Sequence, residues 1–268
     1  TDYVLPLELS YAETCASVAM SNWGKAMFAL DKDSKYMDMI ELQMYNGALA
    51  GLSIDGRAFY YDNALMCRPK VTDFFTGINA RPLYPAYQRQ EVFNCSCCPP
   101  NIYRFIAALG QYFYATDDTC IYINHYAASK ATVHFNNQDI RLTQKTNYPW
   151  DGLVNITVNT CASGMFPIAL RIPGWCPKAD ILVNGEACSY KVLGGYAYIS
   201  HQWTDGDVIT LNLSMPVTEL YANPKVTEVS GKVALRRGPV VYCLEGADNP
   251  DCNIFDITLG KQTPEFTV

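Results

Sequence analysis

Along the first part of the chain, apolar residues recur at helical spacing. Ala16, Ala19, Met20, Trp23, Met27 and Leu30 fall on one face, and Met37, Ile40, Met44 and Ala48 on another after the polar break Asp31-Lys32-Asp33-Ser34. Two such helices joined by a short loop predict an αα-hairpin. From Ser53 to Tyr61 the pair Asp55-Gly56 stands between β-favouring residues and predicts a tight hairpin. A loop rich in proline and aromatic residues, Arg68 to Gln90, then leads to a last helix. Pro99 and Pro100 suit its opening positions, where a missing N–H costs nothing, and Ile102, Phe105, Ile106, Leu109 and Phe113 follow at helical spacing.

Near Thr116 the period changes from helical to alternating. Cys120 to Ile123, Ala131 to Phe135, Val154 to Val158, Ile168 to Ile172 and Val208 to Leu213 read as short strands separated by Gly, Pro, Asn and Asp, the pattern of an antiparallel sandwich. A further β-like segment, Lys232 to Leu244, follows Met215-Pro216 and has too few strands to close a second sandwich. No internal repeat or low-complexity tract is visible. The fold class is therefore mixed α and β, multidomain, divided as 1–116 helical, 117–216 sandwich and 217–268 an incomplete second sandwich.

Composition narrows the function classes. The 268 residues are 49% hydrophobic and 17% charged, an ordinary globular balance, and the net charge of −6 gives no basic stripe for nucleic acid. No apolar stretch approaches the roughly 20 residues that span a bilayer, so no membrane partner is expected. The 19 tyrosines and 4 tryptophans suit a sugar-binding surface and a sandwich core equally. Eleven cysteines, an odd number, exclude a fully paired framework and fit reduced thiols, a metal and a cytoplasmic setting. The sequons at Asn94, Asn155 and Asn212 are read as unglycosylated, since a glycan on Asn94 would crowd a thiol cluster.

That cluster, Cys95-Ser96-Cys97-Cys98-Pro99-Pro100-Asn101, holds the chemistry. Thiols this close share a metal, bridge to other cysteines or act as nucleophiles, and Cys97 and Cys98 lie at a helix N-terminus, which favours the thiolate. A buried apolar trio is the plainer alternative. Upstream, Glu13 and Cys15 offer a carboxylate and a thiol that would complete a four-donor zinc site with Cys97 and Cys98. Against this, Ser10-Tyr11-Ala12-Glu13 matches a capping box. On a regular helix Glu13 and Cys15 would point apart, so they share a metal only if the helix begins nearer Thr14. Spacing leaves both readings open.

Asp2-Tyr3-Val4-Leu5-Pro6, Tyr11 to Ala16, Leu52 to Gly56, Tyr61-Asp62-Asn63 and the cysteine cluster together resemble glycoside hydrolase family 127, which contains the β-L-arabinofuranosidases. The resemblance continues through Leu170 to Trp175, Val183-Asn184-Gly185, Trp203 to Asp207 and Arg237 to Tyr242, nearly the whole chain. It implies a helical segment of an (α/α)6 barrel followed by an antiparallel β-sandwich. It further implies a retaining glycosidase in which zinc-bound Cys97 attacks the anomeric carbon. Glu13, Cys15, Cys97 and Cys98 become the zinc ligands, Cys95 a close neighbour, and Tyr61 and Glu13 sugar contacts. The implied substrate is an arabinose-containing oligosaccharide or glycoconjugate.

In two respects the sequence departs from the family. The family's acid/base glutamate lies slightly upstream of the Asp-Tyr-x-Leu-Pro segment with which this chain opens, and Glu8 and Glu41 do not match it. The sugar-holding histidines also come from earlier in the barrel, whereas His125, His134 and His201 all fall in the β region. These departures carry the expectation of a C-terminal portion that exposes apolar surface, completed by a homo-oligomer or by a missing N-terminal barrel segment. The alternative function is a zinc-stabilised carbohydrate-binding or structural module without catalysis. A thiol-redox protein ranks third, because Cys95 to Cys98 has no βαβ pattern around it.

Overall fold

The computed structural model describes residues 2–8, 10–68, 88–91, 95–160, 164–260 and 266. Most of the loop expected between Arg68 and Gln90, and Asn94 of the first sequon, lie outside the described residues. Helices come first: α1 (Thr14–Leu30), α2 (Ser34–Gln43) running into a π turn (Met44–Ala48), α3 (Cys98–Ala108) and the single turn α4 (Gly110–Phe113). Strands follow without a linker: β1 (Tyr114–Thr116), β2 (Ile121–Ile123), β3 (Ser129–Phe135), β4 (Gln138–Thr146), β5 (Leu153–Asn159), β6 (Gly164–Arg171) and β7 (Ala179–Val183). The rest are β8 (Glu186–Ala187), β9 (Lys191–Leu193), β10 (Tyr196–Trp203), β11 (Asp207–Leu213), β12 (Val217–Leu220), β13 (Ala234–Arg237) and β14 (Val240–Tyr242).

Two sheets, β1-β2-β6-β10-β9 and β3-β4-β5-β11-β7-β8, face each other, and β12-β13-β14 form a third. The five segments read as strands all lie in this β region; β4, β7 and β10 were not anticipated. Alternation explains the six-stranded sheet, where Val154, Ile156 and Val158 of β5 and Ile209 and Leu211 of β11 point into the core. In the five-stranded sheet, by contrast, Ile168 and Leu170 enter the sandwich core while Ala169, Tyr122 and Tyr196 pack against Phe28, Met37, Ile40 and Phe105 of the helices. A sheet covered on both faces accounts for the uninterrupted apolar run of β6. The sandwich is not purely antiparallel, because β2 pairs parallel to β6. A connection that leaves the helical layer through β1 brings β2 in along the same direction as β6.

The α2 face was read correctly: Met37, Ile40, Met44 and Ala48 are all buried. The α1 face was not. Thr14, Ser17, Val18, Ser21, Gly24 and Phe28 face inward, while Met20, Trp23 and Leu30 are exposed, Trp23 at 53% and Leu30 at 84%. The reason is close approach. A Cβ on Gly24 would lie 2.6 Å from Met39 Cε, and one on Gly47 would lie 2.2 Å from Ser17 Oγ, so small side chains mark the contact between α1 and its neighbours.

One buried ionic cluster ties helix α2 to the sandwich. Arg171, fully buried in β6, reaches Asp38 Oδ1 at 2.5 Å and Glu41 Oε1 at 2.5 Å, and its Nε donates to the Asn124 carbonyl. Glu41 also accepts from the Tyr148 hydroxyl at 2.5 Å and from Trp175 Nε1 at 3.0 Å. Burial alone would raise the Glu41 carboxyl, yet the Arg171 guanidinium outweighs burial and holds it at about 2. Beside it, buried His125 lies 3.9 Å from Glu41, too far for a hydrogen bond, and desolvation lowers its pKa from 6.5. The third sheet is fastened to the π turn by Asn46, which donates to Pro239 O at 2.9 Å and accepts from Val241 N at 2.8 Å. Arg236 and Arg237 lie in β13, and Arg237 donates to Trp150 O at 2.6 Å.

Candidate active site

Four donors converge where α1 and α3 begin. Glu13 precedes α1 with extended backbone (φ −65°, ψ 135°), and its side chain caps nothing; the helix starts at Thr14. The capping-box reading therefore fails locally, and the extended residue lets Glu13 and Cys15 turn toward the same point. An antiparallel bridge between Glu13 and Asp62, with Thr14 N donating to Tyr61 O at 3.0 Å, fixes this entry against the 52–62 segment. Cys97 occupies the N-cap of α3 and Cys98 its first turn, ahead of the two prolines. Phe59 closes the floor over fully buried Cys98.

Cys15 Sγ lies 3.4 Å from Cys97 Sγ and 3.5 Å from Cys98 Sγ, and the last two are 3.8 Å apart. Glu13 Oε1 is 3.5 Å from Cys97 Sγ. All four donor atoms fall within 4.8 Å of one another. In a tetrahedral zinc site with Zn–S near 2.3 Å and Zn–O near 2.0 Å, sulfur–sulfur edges would be about 3.8 Å and sulfur–oxygen edges about 3.5 Å. The donor types and spacings fit that ion. Second contacts are in place as well: Tyr11 donates to Glu13 Oε2 at 2.7 Å, and Asn101 Nδ2 donates to Cys15 Sγ at 3.1 Å.

Tyr61 stands over the nucleophile candidate, its hydroxyl 3.6 Å from Cys97 Sγ and its carbonyl 3.7 Å from Cys98 Sγ. Cys95 is exposed and does not belong to the four-donor group. Burial, then the neighbouring Cys15, pushes the Cys97 thiol up to about 11, and burial with the same neighbour pushes Cys98 higher still. Tyr11 rises to about 12 through burial and its bond to Glu13. A divalent ion among these groups would invert that order and deprotonate the thiols.

Two features escaped the sequence. Asp62 is buried beside Glu13, its carboxyl raised by burial and by the Glu13 charge; it was noted only as part of a motif. Asn101 was quoted in the cluster without a role. Glu8 pairs with Arg68 at 3.0 Å and Glu41 with Arg171, so both carboxylates are engaged elsewhere. Among the described residues no helix is long and apolar enough to cross a membrane.

Residues 1–111 match the sequence model of the β-L-arabinofuranosidase GH127 catalytic domain, 120–215 that of the GH127 middle domain and 217–268 that of the glycoside hydrolase family 127 C-terminal domain. The chain is 38% identical over 253 residues to the non-reducing end β-L-arabinofuranosidase of Bifidobacterium longum subsp. longum, covering 93% of this chain and 38% of that protein. The crystal structure of a GH127 β-L-arabinofuranosidase from Geobacillus stearothermophilus T6 superimposes with a TM-score of 0.86 at 41% identity, covering 92% of this chain and 39% of the other. A GH127 β-arabinofuranosidase structure gives a TM-score of 0.83 at 34% identity, with 92% and 39% covered. The chain thus spans about two-fifths of the length of these relatives.

Proposed function

The chain belongs to glycoside hydrolase family 127, and from that premise we propose that it carries the nucleophile and metal site of a retaining β-L-arabinofuranosidase. The observation that carries the reading is the convergence of Glu13, Cys15, Cys97 and Cys98, with the Tyr61 hydroxyl 3.6 Å from Cys97 Sγ. Zinc held by those four residues would keep the thiols deprotonated. Cys97 Sγ attacks the anomeric carbon, forming a C–S bond as the glycosidic C–O bond breaks and the leaving oxygen takes a proton from a general acid. Water then displaces the sulfur, gives its proton to the same group as base, and releases the sugar with retained configuration. Tyr61 and Glu13 border the sulfur and serve as sugar contacts. No described carboxylate is assigned the acid's role: Glu8 and Glu41 are paired with arginines and Glu13 is a metal donor.

In this reading residues 1–116 form part of an (α/α)6 barrel, 117–216 the sandwich and 217–268 a third unit. The substrate class is an arabinose-containing oligosaccharide or glycoconjugate, and the reduced cysteines suit the cytoplasm. A second reading, a zinc-stabilised module without catalysis, is favoured by the donor count, since four protein ligands are the mark of structural zinc. Elemental analysis under reducing conditions tests the metal: about one zinc per chain is expected, reduced in Cys97→Ala and in Glu13→Gln. No zinc in folded wild-type protein would remove the reading. An electrophilic arabinofuranose analogue then separates the two functions, labelling Cys97 in the enzyme and leaving it unmodified in the structural module.

A further inference from the structure

The three sulfurs of the cluster are chemically alike and lie within 3.8 Å of one another, so something in their surroundings must decide which one reacts. Cys98 is set aside by burial, with no exposed surface under Phe59. Burial does not separate Cys15 from Cys97, since both are half-buried. The Asn101 amide does. Its Nδ2 donates to Cys15 Sγ at 3.1 Å, whereas among the described residues the oxygen neighbours of Cys97 Sγ stand farther off, the Tyr61 hydroxyl at 3.6 Å and Glu13 Oε1 at 3.5 Å. The amide is oriented by its other end, because Asn101 Oδ1 accepts from Arg104 Nη1 at 3.4 Å and leaves Nδ2 facing the sulfur. The same helix that presents Cys97 at its start carries Asn101 one turn on, where Asn101 N bonds the Cys97 carbonyl at 3.4 Å. A donor directed at a metal-bound thiolate withdraws electron density from the sulfur, fixes its direction and makes it a poorer nucleophile.

We propose that Asn101 is a positioning residue that locks Cys15 into a purely ligating role and thereby leaves Cys97 as the reactive thiolate of the cluster; this rests on the zinc–thiolate reading above. The test uses the zinc-loaded full chain, alkylated by iodoacetamide at one fixed pH, with adducts located by peptide mass spectrometry and zinc affinity measured by chelator competition. Wild-type protein is expected to be modified at Cys97 ahead of Cys15. Asn101→Leu keeps the branched outline of the side chain and Asn101→Ala favours the helix, and both lack the donor. Each should raise the Cys15 to Cys97 adduct ratio about tenfold and weaken zinc about tenfold, the lower end of what loss of a ligand's outer partner costs. Asn101→Gln, which retains an amide donor, should restore part of the selectivity, a rescue that a packing role alone would not produce. Unchanged adduct ratio and affinity in either folded donor-less variant overturns the proposal and leaves the zinc reading standing. Wild-type protein that takes up no zinc overturns the zinc reading, and this inference with it.

Discussion

The thiol cluster and the Arg171 cluster are both partly or wholly buried collections of polar side chains, yet they balance charge in different ways. Around Arg171 the chain supplies its own counter-charges: Asp38 and Glu41 meet the guanidinium, and Tyr148, Trp175 and the Gly174 N–H, 3.1 Å from Asp38 Oδ2, take up further carboxylate lone pairs. Around Cys97 the chain supplies acceptors and acids together, one carboxylate and three thiols, and burial there raises the Cys97 and Cys98 thiols. The first arrangement is complete within the polypeptide and fastens helix to sheet. The second gathers four donors that could hold a cation, and a site open to something from outside is where chemistry with an outside molecule can occur.

The largest effect that separates the two should come from Arg171→Met. Removing the cation strands buried Glu41 and Asp38, and a loss of about 3–5 kcal/mol is expected by denaturant unfolding. Zinc content should remain at the wild-type level in whatever fraction stays folded; a parallel loss of metal would show that the clusters are one unit. Next comes metal removal. If free zinc stands at about one hundred times its dissociation constant, excess chelator should cost about 2.7 kcal/mol, read as a shift of the denaturant midpoint. That increment should be the same in wild type and in a milder variant of the ionic cluster, and a midpoint insensitive to chelator would break the contrast.

The smallest effect concerns pH. His125 is depressed below 6.5 by burial, so on acidification the unfolded chain takes a proton that the folded chain refuses. Stability is therefore lost as pH falls below about 6.5, with a limiting slope near 1.4 kcal/mol per pH unit. Glu41, held at about 2 against an ordinary 4.5, adds a second loss between those values, while Asp38, raised by burial, works in the opposite direction. His125→Gln should flatten the first segment of the stability profile and leave the second. A profile unchanged by that substitution would mean that His125 is not held neutral.

Legibility followed the physical reach of each signal. The α3 entry and the α2 face depend on neighbours within a few residues, and they were readable; at Asp55-Gly56 a turn forms with Gly56 at φ +72°, but it closes only the isolated bridge Leu52–Phe59 and not the tight hairpin expected. The inward face of α1 was not, because a helix packed by close backbone approach buries Ser17, Ser21 and Gly24 and leaves the larger periodic residues outside. The Glu13, Cys15, Cys97, Cys98 quartet was legible only through resemblance, since spacing alone could not choose between a cap and a ligand. What decided the geometry was the bridge from Glu13 to Asp62, a pairing across 49 residues that leaves no trace in local sequence. Arg171 carried a faint signal, a charge inside an otherwise apolar strand, but its partners lie 130 and 133 positions away.

The passage from Phe113 straight into Tyr114 bears on how the molecule would carry load. The last helical turn ends where β1 begins, β1 is laddered to β2, and β2 lies against β6, the strand that holds Arg171. Tension applied between the helical layer and the sandwich finds no slack chain to extend. It falls on the β1–β2 pair, where Tyr114 stands opposite Ile123 at the end the chain enters and leaves, and on the Arg171 clamp beside it.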